Sequence, residues 1–169
     1  MSNGISNAFR DIGRAIRINF DNNLFAATLI VTYSAIDTMA FLSMPANQRE
    51  VRKPDFINWV ESYMQTDSNQ PYQYQGIDLY GARCGIIHSY GATSRLSDSS
   101  SCKVFNYHNG SEHIYKPEIH EDLVAISIQR FINDFFRAMR KFLRDALRNE
   151  SLRQRVENRI NHLFIISEV

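Results

Sequence analysis

The chain predicts an all-α fold, a helical bundle of about five or six helices with one small β-hairpin inserted near residues 103–115. Three observations carry that expectation. Apolar residues recur at three- and four-residue spacing through most of the sequence, the signature of amphipathic helices. The stretch from Leu24 to Met44 holds one charge, Asp37, and reads as a central helix. Asn109-Gly110, flanked by aromatic and β-branched residues, is the strongest two-residue hairpin signal.

The elements follow in order. Phe9, Ile12, Ile16 and Phe20 form the apolar side of a first helix, with Arg10, Arg14 and Arg17 between them. The second helix runs from Leu24 to about Met44 and stops at Pro45. Pro54 suits the first turn of a third helix whose face is Phe56, Val60 and Tyr63. Polar residues then make a loop up to a fourth helix, about Ile77 to Tyr90. After a second loop and the hairpin, helix resumes from about Asp122 to Leu147, with Ile128, Ile132, Phe135, Met139 and Leu143 on its apolar stripe. Ser151 followed by Gln154 reads as the capping box of a last helix carrying Leu152, Val156 and Ile160.

At 169 residues, 44 % hydrophobic and 22 % charged, the chain fits a single domain over 1–169 and not a disordered segment. Leu24 to Met44 is long enough to span a bilayer, but Asp37 and several hydroxyls would be costly there, so a buried helix and no membrane partner are expected. No signal peptide is visible, and Cys84 and Cys102 form neither a disulfide nor a metal pattern, which points to a reducing cytoplasm. His108, His113 and His120 with Glu118 and Glu121 match no ligand spacing, so neither a metal nor a cofactor is expected. Net charge is +1, yet Arg130 to Arg159 is markedly basic. The stripe Arg137, Lys141, Arg144 and Arg148 is where nonspecific phosphate contacts to RNA would be made.

Two Arg-His pairs invite chemistry. Arg155 and His162 sit on the charged last helix and read as a solvated face. Arg83 and His88 stand between apolar neighbours, beside Gly81, Gly85 and Ser89, a small-residue stripe that lets another backbone approach, from the same chain, a second subunit or a ligand. Histidine moves protons near neutral pH and arginine stabilises phosphate charge, a combination suited to RNA cleavage without metal. Five residues apart on a regular helix the two point about 140° away from each other, so the helix must be distorted or end nearby, or a dimer must bring Arg83 of one chain to His88 of the other. An unpaired carboxylate in an apolar helix is expensive, so Asp37, or Tyr33, is expected to orient Arg83 or His88. Cys84 and His88 share a face, though an inert buried thiol is the plainer reading of Cys84.

"LYGARCGIIHSYGATSRLSD" resembles the Arg-x(4 to 6)-His signature of the HEPN superfamily, and "TYSAIDTMAFL" and "PDFINWVESYM" resemble helices that precede it. The resemblance spans about Leu24 to Asp98. It implies a helical homodimer in which Arg83 binds phosphate and His88 serves as acid or base. It also implies a ribonuclease or RNA-binding role in a toxin–antitoxin or defence system, with an antitoxin partner. Tyr90 extends the match to Arg-x4-His-x-Tyr, and Cys84 departs from it, standing where active members usually carry a polar residue. The other reading is a non-catalytic interaction or scaffold protein that keeps the motif as structure.

Overall fold

The computed structural model describes residues 3–65, 73–160 and 162–163. It is mostly helical, with a small three-stranded sheet rather than a bare hairpin. Helices α1 (Asn3–Asp21) and α2 (Phe25–Ser43) are joined by a tight turn in which Asn23 takes the left-handed conformation that asparagine tolerates. Phe9 and Ile16 bury the apolar side of α1 as their spacing predicts. By length and composition α2 could cross a membrane, but it is the hub of this fold and packs against α1, α3 (Lys53–Trp59), α4 (Gly76–Ser89), α6 (Ile128–Arg148) and α7 (Glu150–Ile160). Its buried hydroxyls are satisfied locally: Thr28 and Thr32 donate to the carbonyls of Leu24 and Thr28, one turn back.

Helix α3 (Lys53–Trp59) starts with Pro54 in its first turn and runs on as a π-helical segment, Val60–Met64. Phe56 and Trp59 sink into the core beside Phe135 and Phe142 of α6. Helix α4 (Gly76–Ser89) is anchored at its start by Asp78, whose buried carboxylate accepts the backbone N–H groups of Gln75 at 2.7 Å and Lys103 at 2.8 Å. One side chain thus caps α4 and ties it to the strand that follows the short helix α5 (Arg95–Asp98).

The expected hairpin does not form. Strands β1 (Val104–His108) and β2 (Ile114–Tyr115) do not pair; β3 (Leu123–Ser127) lies between them, parallel to β1 and antiparallel to β2. The register sets Phe105 opposite Val124 and Tyr107 opposite Ile126. A type I′ turn needs positive φ at both central residues, and neither Asn109 nor Gly110 adopts it. Gly110 donates its N–H to Nδ1 of His108 at 3.0 Å and accepts a hydrogen bond from the Ser127 hydroxyl, so the dipeptide folds back on β1 and reaches across to β3. Residues 123–127, expected at the start of a helix, are therefore strand. Ser127 closes β3 and caps α6 (Ile128–Arg148), its hydroxyl accepting the Arg130 N–H at 3.1 Å. The cap of α7 (Glu150–Ile160) also differs from the sequence signal: Asn149, not Ser151, accepts the Leu152 N–H at 3.0 Å.

Candidate functional site

Helix α2 carries Asp37 and α4 carries Arg83 to a half-buried junction, each side chain about one-fifth exposed. Arg83 Nε donates to Asp37 Oδ2 at 2.8 Å, and Arg83 Nη1 donates to His88 Nε2 at 3.2 Å. The guanidinium is thus fixed from one edge by a carboxylate and offered from another to an imidazole. Contact across five residues is possible because α4 ends one residue past His88, and the long Arg83 side chain reaches along its last turn. Both partners come from one chain, and Asp37 makes the ion pair expected of a carboxylate in the most apolar helix.

The electrostatics follow from the burial. Loss of hydration raises the Asp37 carboxyl above its ordinary value, and the hydrogen bond and charge of Arg83, with His88 behind them, only partly reverse this. For Arg83, burial works against the charge, but the Asp37 hydrogen bond and charge, helped by Cys84, more than offset it, and its pKa is raised. Since an arginine can only donate, the hydrogen bond between the two has Nε2 of His88 as its acceptor. A proton can be taken at Nε2 once Arg83 Nη1 turns away from it, for instance toward a phosphate oxygen.

The other expected residues are distributed differently. Tyr33 is fully buried and shares a 2.7 Å hydroxyl–hydroxyl hydrogen bond with Tyr107 of β1, so it joins α2 to the sheet and not to Arg83. Cys84 is half-buried with Sγ 4.0 Å from Arg83 Nη1. Tyr90 is 71 % exposed, holds a left-handed φ of 55°, and lines a separate apolar hollow with Leu29, Ile86 and Tyr107. On α6, Arg137 binds Asp134 at 3.1 Å and the Met64 carbonyl, and Lys141 binds the Ser62 carbonyl at 2.8 Å. Those two hold the end of the π-helical segment, while Arg144 and Arg148 are exposed. The small-residue stripe is covered by the chain itself: a Cβ on Gly81 would lie 2.3 Å from Cys102 Sγ, and one on Gly85 would lie 2.7 Å from the Thr93 carbonyl oxygen.

Asp37 and Arg83 line a cleft of about 420 Å³ with Arg52, Tyr80 and His162. A second hollow of about 470 Å³ adjoins it, sharing Phe41 and His162 and adding Arg49, Arg155 and Arg159. The Arg155/His162 pair, a solvated face by sequence, therefore stands beside the Arg83 site. Its signal was present in the spacing, but its position depends on α7 docking against the end of α2. Arg155 Nε donates to the Ser43 carbonyl at 3.0 Å, and Arg159 donates to the carbonyls of Met44, Pro45 and Gln48. Burial, and then the charge of Arg155, lower the Arg159 pKa. Among the described residues no three metal-ligating side chains converge. In the comparisons with known proteins, no family model, curated protein or solved structure matches the chain.

Proposed function

We propose that the protein is a HEPN-like ribonuclease that cuts RNA without metal, acting in the cytoplasm as a homodimer within a toxin–antitoxin or defence system. One observation carries the reading: a guanidinium held by Asp37 and set directly on the ring of His88. In the reaction, His88 Nε2 takes the proton of a ribose 2′-hydroxyl, and the 2′-oxygen attacks the adjacent phosphorus. Arg83 balances the charge that gathers on the phosphate oxygens. The P–O5′ bond breaks, leaving a 2′,3′-cyclic phosphate and a 5′-oxygen that takes a proton from water as it departs, while the protonated His88 returns its proton to the solvent.

The test is cleavage of single-stranded RNA by purified protein in a chelator. The expected result is fragments ending in cyclic phosphate, with Arg83→Ala and His88→Ala each abolishing them while the protein stays folded and dimeric. Equal cleavage by both variants would remove the reading.

A second reading has its own support. Cys84 occupies the position where active members of the resembled family carry a polar residue, and Arg83 occupies the His88 lone pair. A non-catalytic interaction protein would keep the Asp37–Arg83–His88 chain as a brace between α2 and α4. Parent protein that is inert toward RNA while Arg83→Ala lowers its stability would favour this alternative.

A further inference from the structure

We infer that the arginine-lined groove between the end of α2, the 45–52 loop and α7 binds the sugar–phosphate backbone of single-stranded RNA and leads it to Arg83 and His88. The inference rests on the ribonuclease reading for the identity of the strand; the groove itself is a feature of the fold. Five arginines, Arg49, Arg52, Arg83, Arg155 and Arg159, line its two joined hollows, and Asp37, already engaged by Arg83, is the one carboxylate among the lining residues. On a chain of net charge +1 this is a strong concentration of positive charge.

The cations divide into two kinds. Arg155 and Arg159 are committed to backbone carbonyls, which places their charge rigidly along the wall. Arg49 and Arg52 are exposed, and although Asp55 accepts the Arg52 backbone N–H at 2.7 Å, neither guanidinium forms an ion pair among the described residues, so both can meet a ligand at little cost. Planar guanidiniums bind phosphate oxygens in pairs, and Tyr80 adds aromatic surface on which a base stacks, while Phe41 already carries the Arg159 guanidinium over its ring. Each hollow falls in the range of a small-molecule site, roughly 300–1,000 Å³, so the joined pair accommodates more than one nucleotide. His162 stands where they meet, and Arg83 is at one end of the path.

The experiment separates binding from cutting. Binding of a fluorescein-labelled uridine oligonucleotide about 12 nucleotides long is followed by anisotropy at several salt concentrations, with His88→Ala as background to prevent turnover. Arg49→Gln/Arg52→Gln should weaken binding about tenfold at 0.1 M salt and reduce the slope of log K against log salt by about 1.4. The charge-matched Arg10→Gln/Arg14→Gln on α1 should change neither. Unchanged binding by Arg49→Gln/Arg52→Gln would overturn the inference, as would loss of binding confined to Arg144→Gln/Arg148→Gln, which would run the strand over α6. Cleavage by the parent is measured in parallel. A protein that binds through the groove and does not cut removes the ribonuclease reading and leaves the groove standing. One that cuts while its groove variant binds and cuts equally well does the reverse, and one that neither binds nor cuts removes both.

Discussion

Gly85 gives the most direct handle on how α4 is held in place for His88. Replacing it with alanine would put a methyl carbon 2.7 Å from the Thr93 carbonyl oxygen, 2.9 Å from that of Gly91 and 3.2 Å from the Thr93 carbonyl carbon. All three are backbone atoms, so no side chain can swing aside. In a helix, alanine gains about 1 kcal/mol over glycine, whereas overpacking costs about 1–3 kcal/mol, and a contact this short against unyielding backbone takes the upper part of that range, about 2–3 kcal/mol. Gly85→Ala should therefore lose about 1–2 kcal/mol net, and at about 2–4 °C per kcal/mol for a domain of this size the melting temperature should fall by about 2–8 °C. Gly13→Ala is the internal control: its new carbon would meet only Phe136 Cε1 at 3.5 Å, an ordinary contact. There the helix preference acts alone, and the melting temperature should rise by about 2–4 °C. Both are read by thermal unfolding followed by circular dichroism. Gly85→Ala as stable as the parent, with Gly13→Ala behaving as stated, would refute the packing of residues 91–93 on α4. Because His88 lies three residues beyond Gly85, RNA cleavage should fall further than the unfolded fraction accounts for.

Arg83→Lys keeps the charge but loses the fork that serves Asp37 and His88 together, so the cleavage rate should drop about 10²-fold or more, read under single-turnover conditions with circular dichroism confirming the fold. For Asp37 the folded-state pKa lies above the ordinary 3.8, so the folded protein takes up the proton first as pH falls. Its contribution to stability is fully present below 3.8 and is lost as pH rises through the raised value; the urea stability of the parent minus that of Asp37→Asn should therefore decrease with rising pH, and an increase would contradict the burial argument. Tyr90→Gly relieves a left-handed tyrosine that buries little surface, and urea unfolding should show a gain of up to about 1 kcal/mol after the greater chain entropy of unfolded glycine is subtracted.

What the sequence discloses here depends on how local the cause is. The Asp37–Arg83 pair was legible in part, because a lone carboxylate in an apolar helix requires a partner, though Tyr33 and His88 stood beside Asp37 and Arg83 as alternatives. Helices α1 and α6 were legible from their apolar spacing, and α2 from its long run with a single charge. Strand β3 was not, since Leu123 to Ser127 runs into α6 with no glycine or proline between them, and a continuous apolar run serves either structure. Asn109-Gly110 carried the right residues for a hairpin, but side-chain and cross-strand hydrogen bonds at His108 and Ser127 set the path instead. Ser151 with Gln154 matches a fuller capping pattern than Asn149 does, yet it is Asn149 that accepts the Leu152 N–H. The groove was the least visible, because Arg155 and Arg159 reach partners more than a hundred residues away, and no spacing rule records such a meeting.

That separation in sequence also sets an order in time. Asp37 and Arg83 are 46 residues apart, whereas Arg159 reaches back 115 residues to the Met44 carbonyl. As the chain is made from its N-terminus, α2 and α4 are available to each other while the last helix is still to be synthesised. The Asp37–Arg83–His88 group and the wall beside it thus become available at different times: the residues of the first are synthesised well before those of α7. On the ribonuclease reading proposed above, that delay would leave an interval in which the Arg83–His88 pair exists and the groove proposed to hold RNA does not.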